Sequence, residues 1–439
     1  MLSVFAASEL RAEIYADISV SHGGDSLGTF RVQLFHEEVP RICANFIGLA
    51  SGERPWLDPA TLRLREGVPF YDGLTFHRLM HDLLIQGGSP TGGGAGGPGY
   101  VVMDQFHPDL RHSGRYMLSM AHAGPHTTGS QFFITLEEGS QFDDYHSVFG
   151  VVVAGRGIID RFALPGEFPT SPGGIPETPI VIESVVVSGP GLSAFMAAHG
   201  NVGLPRWSSV DAEISYSLQS PATGGEDGSS AVSVPDLYLN WESKRMWDYV
   251  VLASSDLDEW DILGFGLSMA NVSLFKTNVT DVFPEVEGEP FHAFFQILGV
   301  DYSHLPDPPA SVAREGVRLV LLVPEGELTL EFSGESAAWL FKGVGGTVTS
   351  GGLADTFEDT QSVVPAGGFF VNTQTTYARL LLRRKLRVYF DQPVGPRGWT
   401  FIEPTLSFHT DDSGWFDAPV TAEVPGGPRF RGEFQISNP

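Results

Sequence analysis

The 439-residue chain is poor in cysteine, in positive charge and in long apolar runs. One cysteine, Cys43, excludes an intrachain disulfide framework. It sits in an apolar helical pattern and reads as a buried structural thiol rather than a reactive one. Lys and Arg number 26 against 53 Asp and Glu, a formal net charge of −27, and no lysine precedes Lys244. Nucleic-acid binding needs concentrated basic residues, so no nucleic-acid partner is expected, and the acidity reads as a solubility device. No run of about 18 apolar residues occurs, so no membrane-spanning helix is expected. The opening MLSVFAASELRA has a short apolar segment and then small residues, without a basic start. It reads as the remnant of a signal peptide or as a loose extension, and export to the periplasm or outside is favoured over a cytoplasmic location.

Glycine (52) and proline (31) are abundant and helical periodicity is scarce, so the fold is expected to be mainly β with many turns. The length calls for two or three domains. AEIYADISV and GTFRVQLF flank GGDSLG and read as a hairpin. VPRICANFIGLASG reads as a helix with Pro40 in its first turn and Gly52 at its end. Residues 53–75 read as a long loop. RYMLSMAH, SQFFITL, HSVFGVVVAG and PIVIESVVV read as strands, and GRGIIDRFA as a short helix. About eight short strands and two helices fit a closed barrel capped by helices. The texture changes near residue 190. Two β-rich, sandwich-like blocks follow, 191–305 and 306–439, separated by the Pro-rich 303–313. Trp260 and the Phe294–Phe295 pair read as core aromatics of the first block. The basic RLLLRRKLRVYF (379–390) reads as a solvated strand.

TGGGAGGPGY (91–100) has six glycines. Phosphate cradling would need a following helix N-terminus and a nearby lysine, and neither is present, so a tightly packed loop is expected. FHRLMHDLLIQGG (76–88) sets Arg78 beside an oily run that ends at Gln86. A lone arginine beside leucines ordinarily packs its stem on a surface. His77 and His81 have the spacing of a helical metal pair.

Five segments decide between these readings: PFYDGLTFHR (69–78), IQGG (85–88), GGPGY (96–100), SMAHAGPHTTGSQFFIT (119–135) and FDDYHSVFG (142–150). In order and spacing, residues 12–187 resemble the cyclophilin family of peptidyl-prolyl cis–trans isomerases, with the 55–63 loop and the glycine-rich segment closest to bacterial members. The resemblance implies an eight-stranded antiparallel barrel with two helices and no cofactor or metal. Its implied partners are proline-containing peptides and unfolded or partly folded proteins, met by a monomer.

It implies Arg78, Gln86, Phe133 and His146 as catalytic positions. His77, Leu83, Leu84, Ala121, His122, Gln131, Gln141 and Phe142 fall at substrate-binding positions. Such a catalyst needs no acid, base or nucleophile. The amide resists rotation because its nitrogen lone pair is delocalised, and a fixed cationic donor can favour the twisted form in which that pair localises. Four positions depart from the common pattern. Leu83 and Leu84 replace Phe-Met, His122 replaces Asn, and Gln141 stands where the ciclosporin-sensitive members carry Trp. Reduced activity and weak ciclosporin binding are therefore expected. The alternative is a low-activity module that grips proline peptides on an exported β-domain protein.

Overall fold

The computed structural model describes residues 13–218 apart from Pro125, then 235–244, 247–268, 273–277, 294–303, most of 316–352, and the strands between 358 and 437. The first twelve residues, with their export reading, and the polar loop 221–231 lie outside the described residues, as does nearly all of the Pro-rich 303–313. Two compact units result: the described residues up to 123 and from 127 to 303 form the first, and those from 316 onward form the main part of the second.

In the first unit, β1 (Ile14–His22) and β2 (Asp25–Leu34) form the expected hairpin. Alternation buries Ile14, Ala16, Ile18 and Val20 beside Phe30, Val32 and Leu34. Helix α1 (Pro40–Ser51) starts on its proline and stops at Gly52, whose φ of 76° is left-handed and favours glycine. Its Phe46 ring packs between Tyr71, Phe132 and Phe149. Cys43 lies on its buried face with its thiol on the Phe149 carbonyl, and burial pushes the thiol pKa up. The expected loop 53–75 carries a small ribbon, β3 (Trp56–Leu57) with β4 (Leu64–Arg65).

Next come β5 (Arg78–Met80), β6 (Leu84–Gly87), β7 (Met117–Met120), β8 (Phe132–Thr135), β9 (Val148–Ala154), helix α2 (Arg156–Phe162), the ribbon β10 (Thr170–Ser171) and β11 (Ile175–Pro176), and β12 (Ile180–Ser188). Eight of these strands form one antiparallel sheet in the order β12-β1-β2-β9-β7-β8-β6-β5. Residues 73–76, leading into β5, bond back to β12. Phe76 donates its N–H to the Ile180 carbonyl (2.8 Å), Ile182 donates to that of Leu74 (2.7 Å), and Thr75 bridges Val181. The sheet thus curls until its two edges meet, which leaves few unpaired edge groups. Phe30, Phe46, Phe76, Phe132, Phe149 and Phe162 fill the interior. Each contributes about 1.5–3 kcal/mol of burial.

Helix α3 (Leu192–His199) leads to a second set of strands: β13 (Trp207–Val210), β14 (Glu213–Leu218), β15 (Pro235–Trp241), β16 (Trp247–Ser254), β17 (Asp261–Ser268), β18 (Ser273–Thr277) and β19 (Phe294–Asp301). A four-stranded sheet (β13-β19-β16-β17) faces a three-stranded one (β14-β15-β18). Leu239 and Trp241 pack on Tyr249, Val251 and Ile297 between them, which is a small sandwich. The expected core aromatics differ. Phe294 is 37% exposed, because consecutive strand residues face opposite ways and only Phe295 reaches the core. Trp260 sits on an exposed turn, its indole donating to the Leu257 carbonyl.

Among the described residues, the strands of the second unit form one ten-stranded antiparallel sheet. Strands Arg318–Val323, Gly326–Ser333 and Ser336–Gly343 follow as a meander, and Arg429–Ser437 pairs with the first of them. Leu319, Leu321, Leu328, Leu330, Trp339 and Phe434 are buried. The basic segment enters a strand at Arg383–Val394, and its first four residues lie outside the described residues.

Candidate active site

Four very short strands set the site. Arg78 on β5 pairs with Gln86 on β6, Gln86 pairs with Phe133 on β8, and Phe133 pairs with Ser119 on β7. Directly opposed residues of antiparallel strands share a face. The four side chains therefore form one row across the sheet, and Leu79, Ile85, Ile134 and Leu118 form the buried row beneath. This is why FHRLMHDLLIQGG mixes charge with oil: it is two short strands of period two joined by a turn. Arg78 is exposed while His77 and Leu79 on either side are buried. Its stem runs over Gly174, where an added Cβ would lie 3.6 Å from the Arg78 Cγ. Among the described residues, the guanidinium has no hydrogen bond or ion pair. His77 and His81 flank this strand instead of sharing a helix face, and His81 bonds the Phe162 carbonyl.

Phe133 is only 2% exposed and is held by rings. Phe142 lies 5.3 Å from it, His146 meets it edge-on at 5.4 Å, and His112 stacks on it at 5.7 Å with 11° between planes. His112 in turn donates Nδ1–H to Asp143 (2.8 Å) and accepts the Ser119 hydroxyl at Nε2 (2.9 Å). That is the order of groups in a hydrolytic triad. Both Ser119 and His112 are 0% exposed, however, so no substrate reaches the hydroxyl and the chain acts as a brace for Phe133. His146 donates Nδ1–H to the Met120 carbonyl (2.9 Å) and stacks on His122, which donates to the Tyr145 carbonyl (2.6 Å).

Burial, with the neighbouring His122, lowers the His146 pKa to about 3, and burial beside Arg78 lowers that of His77 to about 4. Burial also lowers His112, against the pull of Asp143. These three imidazoles are neutral at pH 7, and the permanent charge of the row is Arg78.

Beside the row opens a cleft of about 260 Å³. Its lining includes Gln86, Gln131, Ala121, His122, Thr127 and the segment Gly94–Gly96. Gln131 ties its two sides together. Its amide N–H groups donate to the Gly94 (3.1 Å) and Gly96 (3.0 Å) carbonyls, and its oxygen accepts from Gln86 Nε2 (3.0 Å). The cleft and the row thus meet at Gln86.

Of the residues picked from sequence, Arg78, Gln86 and Phe133 share the row, and Phe133, Phe142 and His146 share the ring cluster. Gln86, Ala121, His122 and Gln131 share the cleft. Leu84 is buried two residues along from Gln86 on the same face, opposite Met80 and Thr135, and Leu83 is half-buried in the turn before it. Gln141 is exposed at the rim and His77 is buried under Arg78. Sequence reasoning missed the His112–Asp143–Ser119 brace, whose members carry no motif together. It also read the glycine-rich segment only as a packed loop, where it forms a wall of the cleft.

Residues 15–187 match the family described as cyclophilin type peptidyl-prolyl cis-trans isomerase/CLD. A probable peptidyl-prolyl cis-trans isomerase A of Mycobacterium leprae is 42% identical over 163 residues, which is 37% of this chain and 87% of that one. Peptidyl-prolyl cis-trans isomerase B of Streptomyces anulatus is 40% identical over 178 residues, 40% of this chain and 97% of that one. Among solved structures, a cyclophilin type isomerase of Cryptosporidium parvum, crystallised in the presence of the dipeptide Ala-Pro, is 28% identical with a TM-score of 0.33, covering 40% of this chain and 98% of its own. The chain belongs to the cyclophilin-type family, and its activity is peptidyl-prolyl cis–trans isomerisation.

Proposed function

We propose that Arg78 carries the rate enhancement and that an apolar slot of Leu83, Leu84, Phe133 and Phe142, edged by His146, holds the proline ring. The substrates are proline-containing peptides and partly folded proteins. Exchange at X-Pro bonds is slow, with a barrier of about 18–20 kcal/mol set by amide resonance. In the twisted amide the nitrogen becomes pyramidal and its lone pair localises. A guanidinium aimed at that lone pair stabilises this state over either planar isomer, and only such a difference accelerates the step. Gln86 commits Nε2 to Gln131, which leaves its oxygen to orient Arg78. Neutral His146 packs as a wall and takes no proton. The backbone of Ala121–His122 and the Gln131 side hold the chain flanking the proline. Residues 12–190 form the isomerase part, with 191–305 and 306–439 as appended parts.

The observation that carries this reading is the shared row of Arg78, Gln86 and Phe133, which sets a cation with no hydrogen bond or ion pair among the described residues on the face of a buried ring. A protease-coupled isomerisation assay on an Ala-Pro peptide tests it. The full chain turns over, and Arg78→Ala lowers kcat/KM at least about tenfold, the equivalent of ~1.4 kcal/mol. A folded Arg78→Ala chain with unchanged kinetics removes Arg78 from the mechanism.

A further inference from the structure

The glycine wall of the cleft has almost no side chains with which to hold itself. Two anchors reach the residues just after it from beyond the barrel, and a third comes from the loop after α1, all within the same compact unit. Trp207, at the start of β13, is 4% exposed and donates its indole N–H to the Pro98 carbonyl (3.0 Å). Its ring lies where a side chain on Gly99 would be, 2.8 Å from an added Cβ, so the contact requires glycine there. Tyr302, just after β19, is 3% exposed, and its hydroxyl accepts the Val101 N–H (3.1 Å). Arg54 is also buried. It donates to the Gly200 carbonyl (2.7 Å) and to that of Pro205, and lies over the Tyr100 ring.

These anchors act on residues 98–101, immediately after the wall residues 94–96. The same segment connects to the far side of the cleft. Val102 donates to the Thr128 carbonyl (2.7 Å), and Tyr100 reaches Gly129 through Asn45, at 2.9 and 2.8 Å. A glycine-rich loop gives up more conformational freedom on ordering than any other. Rings inserted from a second sheet supply rigidity that the loop's own sequence lacks.

We propose that the small sandwich is a working part of the isomerase. Trp207 and Tyr302 are positioning residues that fix residues 98–101 and, through them, the 94–96 wall, so that the cleft keeps the width that grips the chain beside the proline. This rests on the reading of the site given above. The consequence is that the appended sheets set affinity for flanking residues while Arg78 sets the chemical step.

The test is calorimetric titration of the full chain with the tetrapeptide Ala-Ala-Pro-Phe, paired with hydrogen exchange at residues 92–103, for the unmodified protein, Tyr302→Phe and Trp207→Phe. Binding is read directly, so the outcome does not depend on turnover. Removing one anchoring hydrogen bond should speed exchange at Val101 and weaken peptide binding about fivefold, with unchanged stoichiometry. Lost stoichiometry at unchanged Kd would show a merely structural role and overturn the proposal. Faster exchange with unchanged Kd would overturn it too, as would variants that match the unmodified protein in both. An unmodified chain that binds no peptide would instead remove the site reading and this proposal with it.

Discussion

The ring side of the site, residues 112–146, and the glycine side, residues 94–103, border the same groove but are held by different means. On the ring side, Phe133 is fixed by side chains of the same barrel: His112 stacked on it, His146 edge-on, and Asp143 and Ser119 behind His112. On the glycine side, position comes from backbone carbonyls taken by Gln131 and from rings that begin at Trp207 and end at Tyr302. A stretch that brings its own side chains can be ordered locally, and a stretch of glycine must be ordered by its surroundings. The first arrangement depends on keeping imidazoles neutral. The second depends on distant contacts.

The largest expected effect is the response to acid, which falls on the ring side through His146 and on His77 beneath Arg78, and not on the glycine side. The unfolded chain protonates its histidines near pH 6.5, while His146 and His77 resist until about 3 and about 4. Their lowered values contribute stability that is fully present above pH 6.5 and is lost as pH falls toward the folded values. Each unit in that window costs about 1.4 kcal/mol per group, so the two together remove roughly 5 kcal/mol by pH 4.5. Denaturant midpoints should fall accordingly, and hydrogen exchange at residues 142–147 should rise before that at 94–103. A chain whose midpoint is flat between pH 6.5 and 4.5 would contradict the buried, neutral histidines.

A smaller effect is expected from His112→Ala. It removes the ring stacked on Phe133 and strands the buried Ser119 hydroxyl, while the half-buried Asp143 keeps only the backbone N–H of residue 112. The cost should be about 3 kcal/mol of stability, read as a lower denaturant midpoint. Equal stability would mean that the brace does not hold the ring.

Arg78, Gln86 and Phe133 were placed together through the resemblance carried by PFYDGLTFHR, IQGG and SMAHAGPHTTGSQFFIT, and the period of two in three short strands is the physical reason they share a face. Gln131 could be placed near them, but its bonds to Gly94 and Gly96 depend on how a glycine loop folds back, which has no periodicity to read. Trp207 and Tyr302 were not picked out, because nothing local marks a ring that packs on a loop about 100 or 200 residues away. Phe294 was misplaced for a related reason: in a pair of adjacent aromatics on a strand, only one faces inward.

The smallest expected effect lies at the rim. Gln141 is exposed beside Phe142, and an indole there would add an apolar face and an N–H donor. Ciclosporin should inhibit the unmodified chain poorly, and Gln141→Trp should tighten inhibition by about 2–3 kcal/mol, tens-fold to a hundredfold. Turnover should change less, since the slot is built from other residues. Tight inhibition of the unmodified chain would contradict this view of the rim.

The central claim is that Arg78 acts on the twisted amide and not on binding. The direct measurement is kcat/KM for an Ala-Pro peptide set beside the Kd of the same peptide, in the full chain and in Arg78→Ala. The account predicts a fall of at least about tenfold in kcat/KM with Kd within about twofold. A loss of turnover matched by an equal loss of affinity would contradict it, and would make Arg78 a binding residue.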